Sequence, residues 1–193
     1  MDEEFERLIK NQIKKTKGKQ MTEEEYRYIA SFLGDKNFLV FGLGYDSKLW
    51  RYANRNGFTI FLEHDPKWIT SESDVFQISY TTKLTQADEL LSEYQQGNFK
   101  NLSIPLPDIV LKTRWDCIFV DSPQGYKDHY PGRMQSIYAA SILANKDTHI
   151  FVHDCNRRVE DIYTREMFSQ TVNQLTKLRH LKNSSNDNIN SSK

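Results

Sequence analysis

The stretch that most narrows the possible folds runs from Asn37 to Trp50. It opens as an uncharged apolar run, Phe38-Leu39-Val40-Phe41, passes straight into Gly42-Leu43-Gly44, and continues as Tyr45-Asp46-Ser47-Lys48-Leu49-Trp50. A short apolar run without charge is what a strand buried on both faces requires. The glycines then predict a tight turn, and the polar-apolar mix after them predicts a helix. In such a turn the backbone can approach a ligand closely, beside the partial positive charge of a helix start. A second apolar run, Phe58-Thr59-Ile60-Phe61-Leu62, ends in Glu63. A carboxylate at the tip of a second strand can accept the protons of a ribose diol. The pair reads as a nucleoside-cofactor site, although two glycines after a strand also occur in plain turns. The dinucleotide pattern G-x-G-x-x-G is not met, because Ser47 stands where the third glycine would be. A nucleoside without a diphosphate has less need of that glycine. S-adenosylmethionine is such a ligand, so residue chemistry ranks methyl transfer above nicotinamide-dependent hydride transfer.

At 193 residues the chain is most simply one domain, over residues 1–182 with leading helices in 1–34. A chain of that size buries roughly 70% of its unfolded surface without needing staples. Lys plus Arg and Asp plus Glu are 26 each, so the net charge is zero and nothing global points to nucleic acid or an anionic membrane. Cys117 and Cys155 lie in or beside apolar runs, which predicts free buried thiols and a reducing compartment. The N-terminus is charged, no signal peptide is visible, and no run approaches the roughly 18 apolar residues of a membrane span. The expectation is a soluble, cytoplasmic protein.

Along the chain, Phe5, Leu8, Ile9 and Ile13 form one face of a helix over 2–16, broken at Lys17-Gly18-Lys19. Thr22-x-x-Glu25 is a capping box for a second helix ending before Gly34. A helix over 47–55 closes at Asn56-Gly57, and Asp65-Pro66 opens a short one. Val75–Tyr80 alternates as a third strand, and Thr85-x-x-Asp88 caps a helix through Tyr94. Residues 95–113 read as a long irregular segment. Strand four is Trp115–Asp121, a helix opens at Pro131-Gly132, strand five is Thr148–Asp154, and a helix follows near Val159–Phe168. A final strand pair falls within 170–182, and the Asn/Ser-rich end, 183–193, is expected to be disordered.

Strands alternating with helices predict an α/β fold, a mostly parallel sheet with helices on both faces. Ligands then sit at the carboxyl ends of the strands, where Glu63, Asp121, His153 and Asp154 all fall. Asp121 and Asp154-x-Asn156 supply hard oxygen ligands that suit Mg²⁺ or a similar divalent cation, with Asp121, Asp154 and Asn156 as its candidates. Without a metal, His153 or Asp121 is the candidate general base, since methylating a hydroxyl releases a proton. The same residues also read as caps on the turns that follow them. Between the strands, the loop Gln124–Met134 mixes aromatic and basic groups. Tyr126, His129 and Arg133 there are candidates for contact with a sugar, the guanidinium for gripping a carboxylate. Arg157-Arg158 reads as an exposed pair near the same rim.

Four segments together, NFLVFGLGYDSKLW (37–50), TIFLEHDPKWI (59–69), WDCIFVDSPQGYKDHYPGRMQSIYAA (115–140) and THIFVHDCNRRVED (148–161), resemble the plant glucuronoxylan 4-O-methyltransferases and their relatives in xylan and arabinogalactan biosynthesis. The resemblance implies a Rossmann-like class I methyltransferase fold, S-adenosylmethionine as cofactor and a polysaccharide hydroxyl as acceptor. It implies cofactor contact at Gly42, Gly44 and Glu63, extended to Tyr45, Asp46 and Asp121 around the same strand tips. It implies an active site at Asp121, His153 and Asp154, with the Gly125–Arg133 loop facing the acceptor. A nicotinamide-dependent oxidoreductase and a non-catalytic glycan-binding relative stand as the alternatives.

Overall fold

In the computed structural model, which describes residues 2–17, 20–69 and 71–183, the apolar runs assemble into one sheet. Its seven strands are β1 (Asn37–Phe41), β2 (Phe58–Glu63), β3 (Val75–Gln77), β4 (Cys117–Val120), β5 (His149–Val152), β6 (Gln170–Gln174) and β7 (Arg179–Lys182). They lie in the order β3-β2-β1-β4-β5-β7-β6. The first five are parallel to one another, and β7 runs antiparallel between β5 and β6.

Alternation along the strands divides the core in two, because successive side chains point to opposite faces. Leu39, Phe41, Ile118, Val120, Ile150 and Val152 face one way, and pack with residues of helices α4 (Ala87–Gln95), α5 (Asp108–Lys112), α6 (Met134–Leu143) and α7 (Arg158–Met167). Phe38, Val40, Cys117, Phe119 and Phe151 face the other way, against α1 (Glu3–Thr16), α2 (Glu23–Ala30) and α3 (Ser47–Ala53). Phe5 and Ile9 dock α1 here, as the sequence pattern predicts. The capping box of Thr22 and Glu25 forms at the start of α2.

Register fixes where polar residues meet. Phe41 pairs with Leu62 on one side and Val120 on the other, and Val120 pairs with Val152. The next residue of each strand path is Gly42, Glu63, Asp121 or His153. The row is stitched by Gly42 N–H to Leu62 O (2.8 Å), Asp121 N–H to Phe41 O (3.0 Å) and His153 N–H to Val120 O (3.0 Å).

Several elements differ from the sequence reading. Strand three stops at Gln77 rather than Tyr80, because its neighbour β2 ends at Glu63 and leaves it no partner after the bond from Ile78 N–H to Glu63 O. Asp65-Pro66 makes a turn closed by Trp68 N–H to Asp65 O, not a helix. Thr85 lies inside a single 3-10 turn (Leu84–Gln86) that precedes α4, so it does not cap that helix. Residues 95–113 contain α5, started by Pro107. The expected strand pair forms the β6–β7 hairpin. The break at 18–19 and the tail 184–193 lie outside the described residues.

Candidate active site

The row at the carboxyl edge of the sheet borders a crevice of about 340 Å³, within the roughly 300–1,000 Å³ usual for small-molecule sites. One wall is Gly42, Leu43, Gly44, Tyr45, Asp46, Glu63, His64 and Trp68; the other includes Asp121, Ser122, Tyr126, Arg133, His153, Asp154 and Arg157. The sheet residues Val40 and Phe119 lie between them, and Lys177 of the β6–β7 turn and Gln20 lie at its edge.

On the first wall, Gly42 adopts φ +124, and a Cβ there would stand 2.9 Å from the Ser122 Cβ, so only glycine fits. Ser47, in place of a third glycine, accepts from Gly44 N–H and donates to Gly44 O, both at 2.9 Å. That amide is therefore spent inside the turn instead of facing a phosphate. Glu63 is buried and accepts from the amides of Leu43 (2.8 Å), His64 (2.7 Å) and Asp65 (2.7 Å). His64 Nδ1 lies 3.0 Å from Oε1, outside hydrogen-bonding geometry. Burial alone would push Glu63 up, but His64 and these amides outweigh it and hold the carboxyl below its ordinary value. A carboxylate has about four acceptor directions. Three are taken, so Glu63 keeps room for one hydroxyl proton rather than the two expected for a diol.

Asp46 accepts from Trp50 Nε1 (3.0 Å). Water still reaches its edge, but protein encloses its carboxyl, and this desolvation together with the charge of Asp121 pushes it up to about 6. Tyr45 stands half exposed at the mouth, edge-on to Trp68 (4.9 Å) and beneath the Lys15 ammonium (3.9 Å).

The second wall is a charge network. His153 is buried, with Nδ1 2.9 Å from Asp121 Oδ1 and Nε2 without a partner. Since Asp121 accepts, Nδ1 carries the proton and Nε2 keeps its lone pair. Burial opposes ionisation of Asp121, but His153 and the Arg133 guanidinium more than offset it and keep the carboxyl below its usual range. Asp154 holds φ +63, a left-handed conformation rare outside glycine and concentrated at functional sites. Its Oδ2 lies 2.8 Å from Arg133 and 3.0 Å from Arg157.

Arg133 does not do what its sequence context predicts. It is buried, and its guanidinium donates to Pro123 O, His153 O (2.5 Å), Asp121 O (2.8 Å) and Asp121 Oδ1 (3.0 Å), besides pairing with Asp154. Buried and already bonded through each of its three nitrogens, the guanidinium is not presented to a substrate carboxylate. Its work is to tie the ends of β4 and β5 together. Tyr126 is mostly exposed along the crevice, whereas His129 packs tilted against Tyr130 (4.5 Å) and is not among the residues that line it.

Asp121, His153 and Asp154 bring ligand atoms within 4.8 Å of one another. They do not fit a hard divalent cation as they stand. Asp121 already takes a proton from His153 and pairs with Arg133, and Asp154 pairs with two guanidinium groups. Imidazole is also a poor Mg²⁺ ligand. Asn156 is exposed on the turn after β5. The Glu63 wall does fit a nucleoside: a charged acceptor, a backbone kept close by Gly42, and an amide withheld from phosphate.

Strand order, the antiparallel β7 and a crevice over the tips of β1, β2 and β4 define a class I methyltransferase fold. A solved structure with this fold, the MycE methyltransferase of the mycinamycin biosynthetic pathway in complex with Mg and SAH, superposes with a TM-score of 0.51 at 10% identity, covering 95% of this chain and 49% of that one. The chain belongs to the IRX15/IRX15L/GXM family, whose model matches residues 27–181. It is 39% identical over 179 residues to arabinogalactan O-methyltransferase 1 of Arabidopsis thaliana (79% of this chain, 62% of that one). It is 35% identical over 188 residues to glucuronoxylan 4-O-methyltransferase 1 of the same plant (83% and 67%). The Arabidopsis protein irregular xylem 15 matches at 39% over 150 residues (64% and 47%). The chain thus spans about half to two thirds of the length of these relatives.

Among the crevice residues that escaped the sequence reading are Gln20, His64, Trp68, Lys177 and, as anything but an exposed residue, Arg157. His64 and Trp68 follow Glu63 closely, so the wall could have been extended to them. Lys177 had no signal, being brought in from the far end of the chain.

Proposed function

We propose that this chain is an S-adenosylmethionine-dependent O-methyltransferase acting on a sugar hydroxyl of a glycan, uronic acid residues included. The observation that carries the reading is the Asp121–His153 pair, whose buried Nε2 has no partner among the described residues, on a residue that lines the same crevice as Glu63. The activities in the names of its relatives agree with it.

When bound, S-adenosylmethionine supplies an electrophilic methyl group on a sulfonium. Glu63 accepts a ribose hydroxyl proton, and the Gly42 turn lets the backbone lie against the ligand. His153 Nε2 would take the proton that the acceptor hydroxyl gives up as its oxygen receives the methyl group. Asp121 holds the imidazole in the tautomer that can take that proton and balances the cation that results. The arrangement works chiefly by holding two reactants in line. The buried free thiols Cys117 and Cys155 support a reducing compartment. Among the described residues no helix is long and apolar enough to cross a membrane.

Calorimetric titration with S-adenosylhomocysteine, followed by mass spectrometry of uronic-acid and neutral glycans incubated with labelled cofactor, tests the reading. Binding and a single methyl gain are expected. No binding at millimolar ligand overturns it, a stability shift with NAD alone favours the oxidoreductase, and binding without transfer favours a non-catalytic relative.

A further inference from the structure

We infer that Arg157 is the residue that reads the acidic group of the acceptor, gripping it beside the Tyr126 ring at the mouth of the crevice. The inference rests on the reading of the crevice as a sugar-methylating site and names the residue that sets its charge preference.

The basic side chains that line the crevice differ in the donors they can offer a ligand. Arg133 is buried with every guanidinium nitrogen already bonded, and the Nδ1 of His153 faces Asp121. His64 stands against Glu63, on the nucleoside wall. Arg157 differs from these. Its side chain is 33% exposed, and one Nη2 lies 3.0 Å from Asp154 Oδ2. Nη1 is 4.0 Å from Glu160, beyond hydrogen-bond reach. A guanidinium has five N–H donors in a planar fork and stays charged at any working pH. One edge can hold Asp154 while another meets a carboxylate through two parallel bonds.

The surroundings favour that use. Asp154 is itself buried and held by Arg133, so it fixes Arg157 without following it to the surface. Glu160 is buried, and its carboxyl makes no hydrogen bond to Arg157 or to any other described residue. The Tyr126 ring, 59% exposed, lies 6.0 Å from the Arg157 guanidinium carbon. A sugar ring can pack on that aromatic face with its acidic substituent towards the guanidinium. A neutral sugar would gain the ring contact alone.

The test compares two probes, an oligosaccharide bearing glucuronic acid and the same compound with its carboxyl group reduced to the alcohol. Equilibrium binding of each is measured by calorimetry for the parent protein and for Arg157→Gln, Arg157→Lys and Lys177→Gln. The parent is expected to prefer the acid. Arg157→Gln is expected to weaken binding of the acid by roughly 10- to 100-fold, the range for a hydrogen bond to a charged group, and to leave the reduced compound within about threefold of the parent. Arg157→Lys is expected to recover part of the preference. Equal weakening of both probes by Arg157→Gln would show a merely structural role and overturn the inference. So would a preference that survives Arg157→Gln and is removed by Lys177→Gln. A titration with S-adenosylhomocysteine on the same samples keeps the two readings apart: its failure in the parent sinks the methyltransferase reading, whereas the probe comparison judges Arg157 alone.

Discussion

His153 Nδ1 stands 2.9 Å from Asp121 Oδ1 across the seam between β4 and β5, and among the described residues nothing pairs with His153 Nε2. The bond sets the tautomer, and the tautomer makes Nε2 a base. Replacing His153 by Gln is therefore expected to slow methyl transfer by roughly 10²- to 10⁴-fold, the usual worth of a positioned general base. Asp121→Asn keeps the shape but removes the charge that stabilises the imidazolium, with a loss of similar order. Both variants should bind S-adenosylhomocysteine almost as the parent does. Single-turnover rates and calorimetry on the same preparations check this; unchanged rates would rule His153 out as the base.

Arg133 separates a structural cation from a recognition cation. Its guanidinium joins the backbone ends of β4 and β5 and pairs with two carboxylates while itself out of water. Arg133→Met leaves Asp121 and Asp154 with less compensation. Removing one partner of a buried ion pair costs about 3–5 kcal/mol. Urea unfolding should show a loss of that size, with no selective effect on acidic acceptors. A variant of parental stability that fails only with acidic acceptors would restore the clamp role that the sequence predicts.

How far the sequence reached follows from how local each cause is. Gly42, Glu63, Asp121 and His153 were legible because each ends an apolar strand, and strand register carries those ends into one row. Thr22 and Glu25 were legible as a capping box, yet Glu25 Oε1 also accepts from the amides of Lys177 (2.7 Å) and Leu178 (3.0 Å). No local pattern announces a contact between the second helix and the last hairpin. Asn54 is similar. It falls inside the helix expected over 47–55, but in the structure it ends that helix and its side chain staples Lys36 to Thr59, ahead of β1 and inside β2. Arg133 misled for the same reason: a basic residue in an aromatic loop looks exposed until tertiary packing closes over it.

Asp46 gives the site a pH signature. Desolvation and Asp121 raise it from 3.8 to about 6, so the folded state holds its proton more tightly than the unfolded chain does. Its contribution to stability is complete below the unfolded value and is lost as pH rises through about 6. Two units correspond to at most about 3 kcal/mol, less where water screens the carboxyl. Asp46→Asn retains an oxygen for Trp50 Nε1 and removes the charge. The variant should be more stable than the parent at pH 8, with the gain shrinking towards pH 4. Denaturant midpoints at the two pH values decide it, and a gain independent of pH would mean that some other effect stabilises the variant.

The last relationship lies away from the crevice, where the N-terminal helices meet the sheet. Tyr28 Oη is 2.9 Å from His180 Nδ1, and His180 Nε2 is 2.9 Å from His149 Nδ1. Across the ring–ring contact one of the two facing nitrogens must be unprotonated to accept, so both rings cannot be charged at once. Burial first, then the neighbouring His149, lowers His180 from 6.5 to about 4, and burial also lowers His149. A histidine held below its unfolded value contributes stability that is present above pH 6.5. That stability is lost as pH falls towards 4, because the unfolded chain takes up the proton first. For His180 the loss amounts to at most about 3 kcal/mol. His180→Phe removes one titrating ring while filling the space beside Phe32 and Phe151, which the parent ring also touches. Its unfolding free energy should start lower at pH 7.5, since Tyr28 loses its partner, and then decline less steeply towards pH 4.5. If parent and variant lose stability in parallel, the acid sensitivity of the fold lies elsewhere.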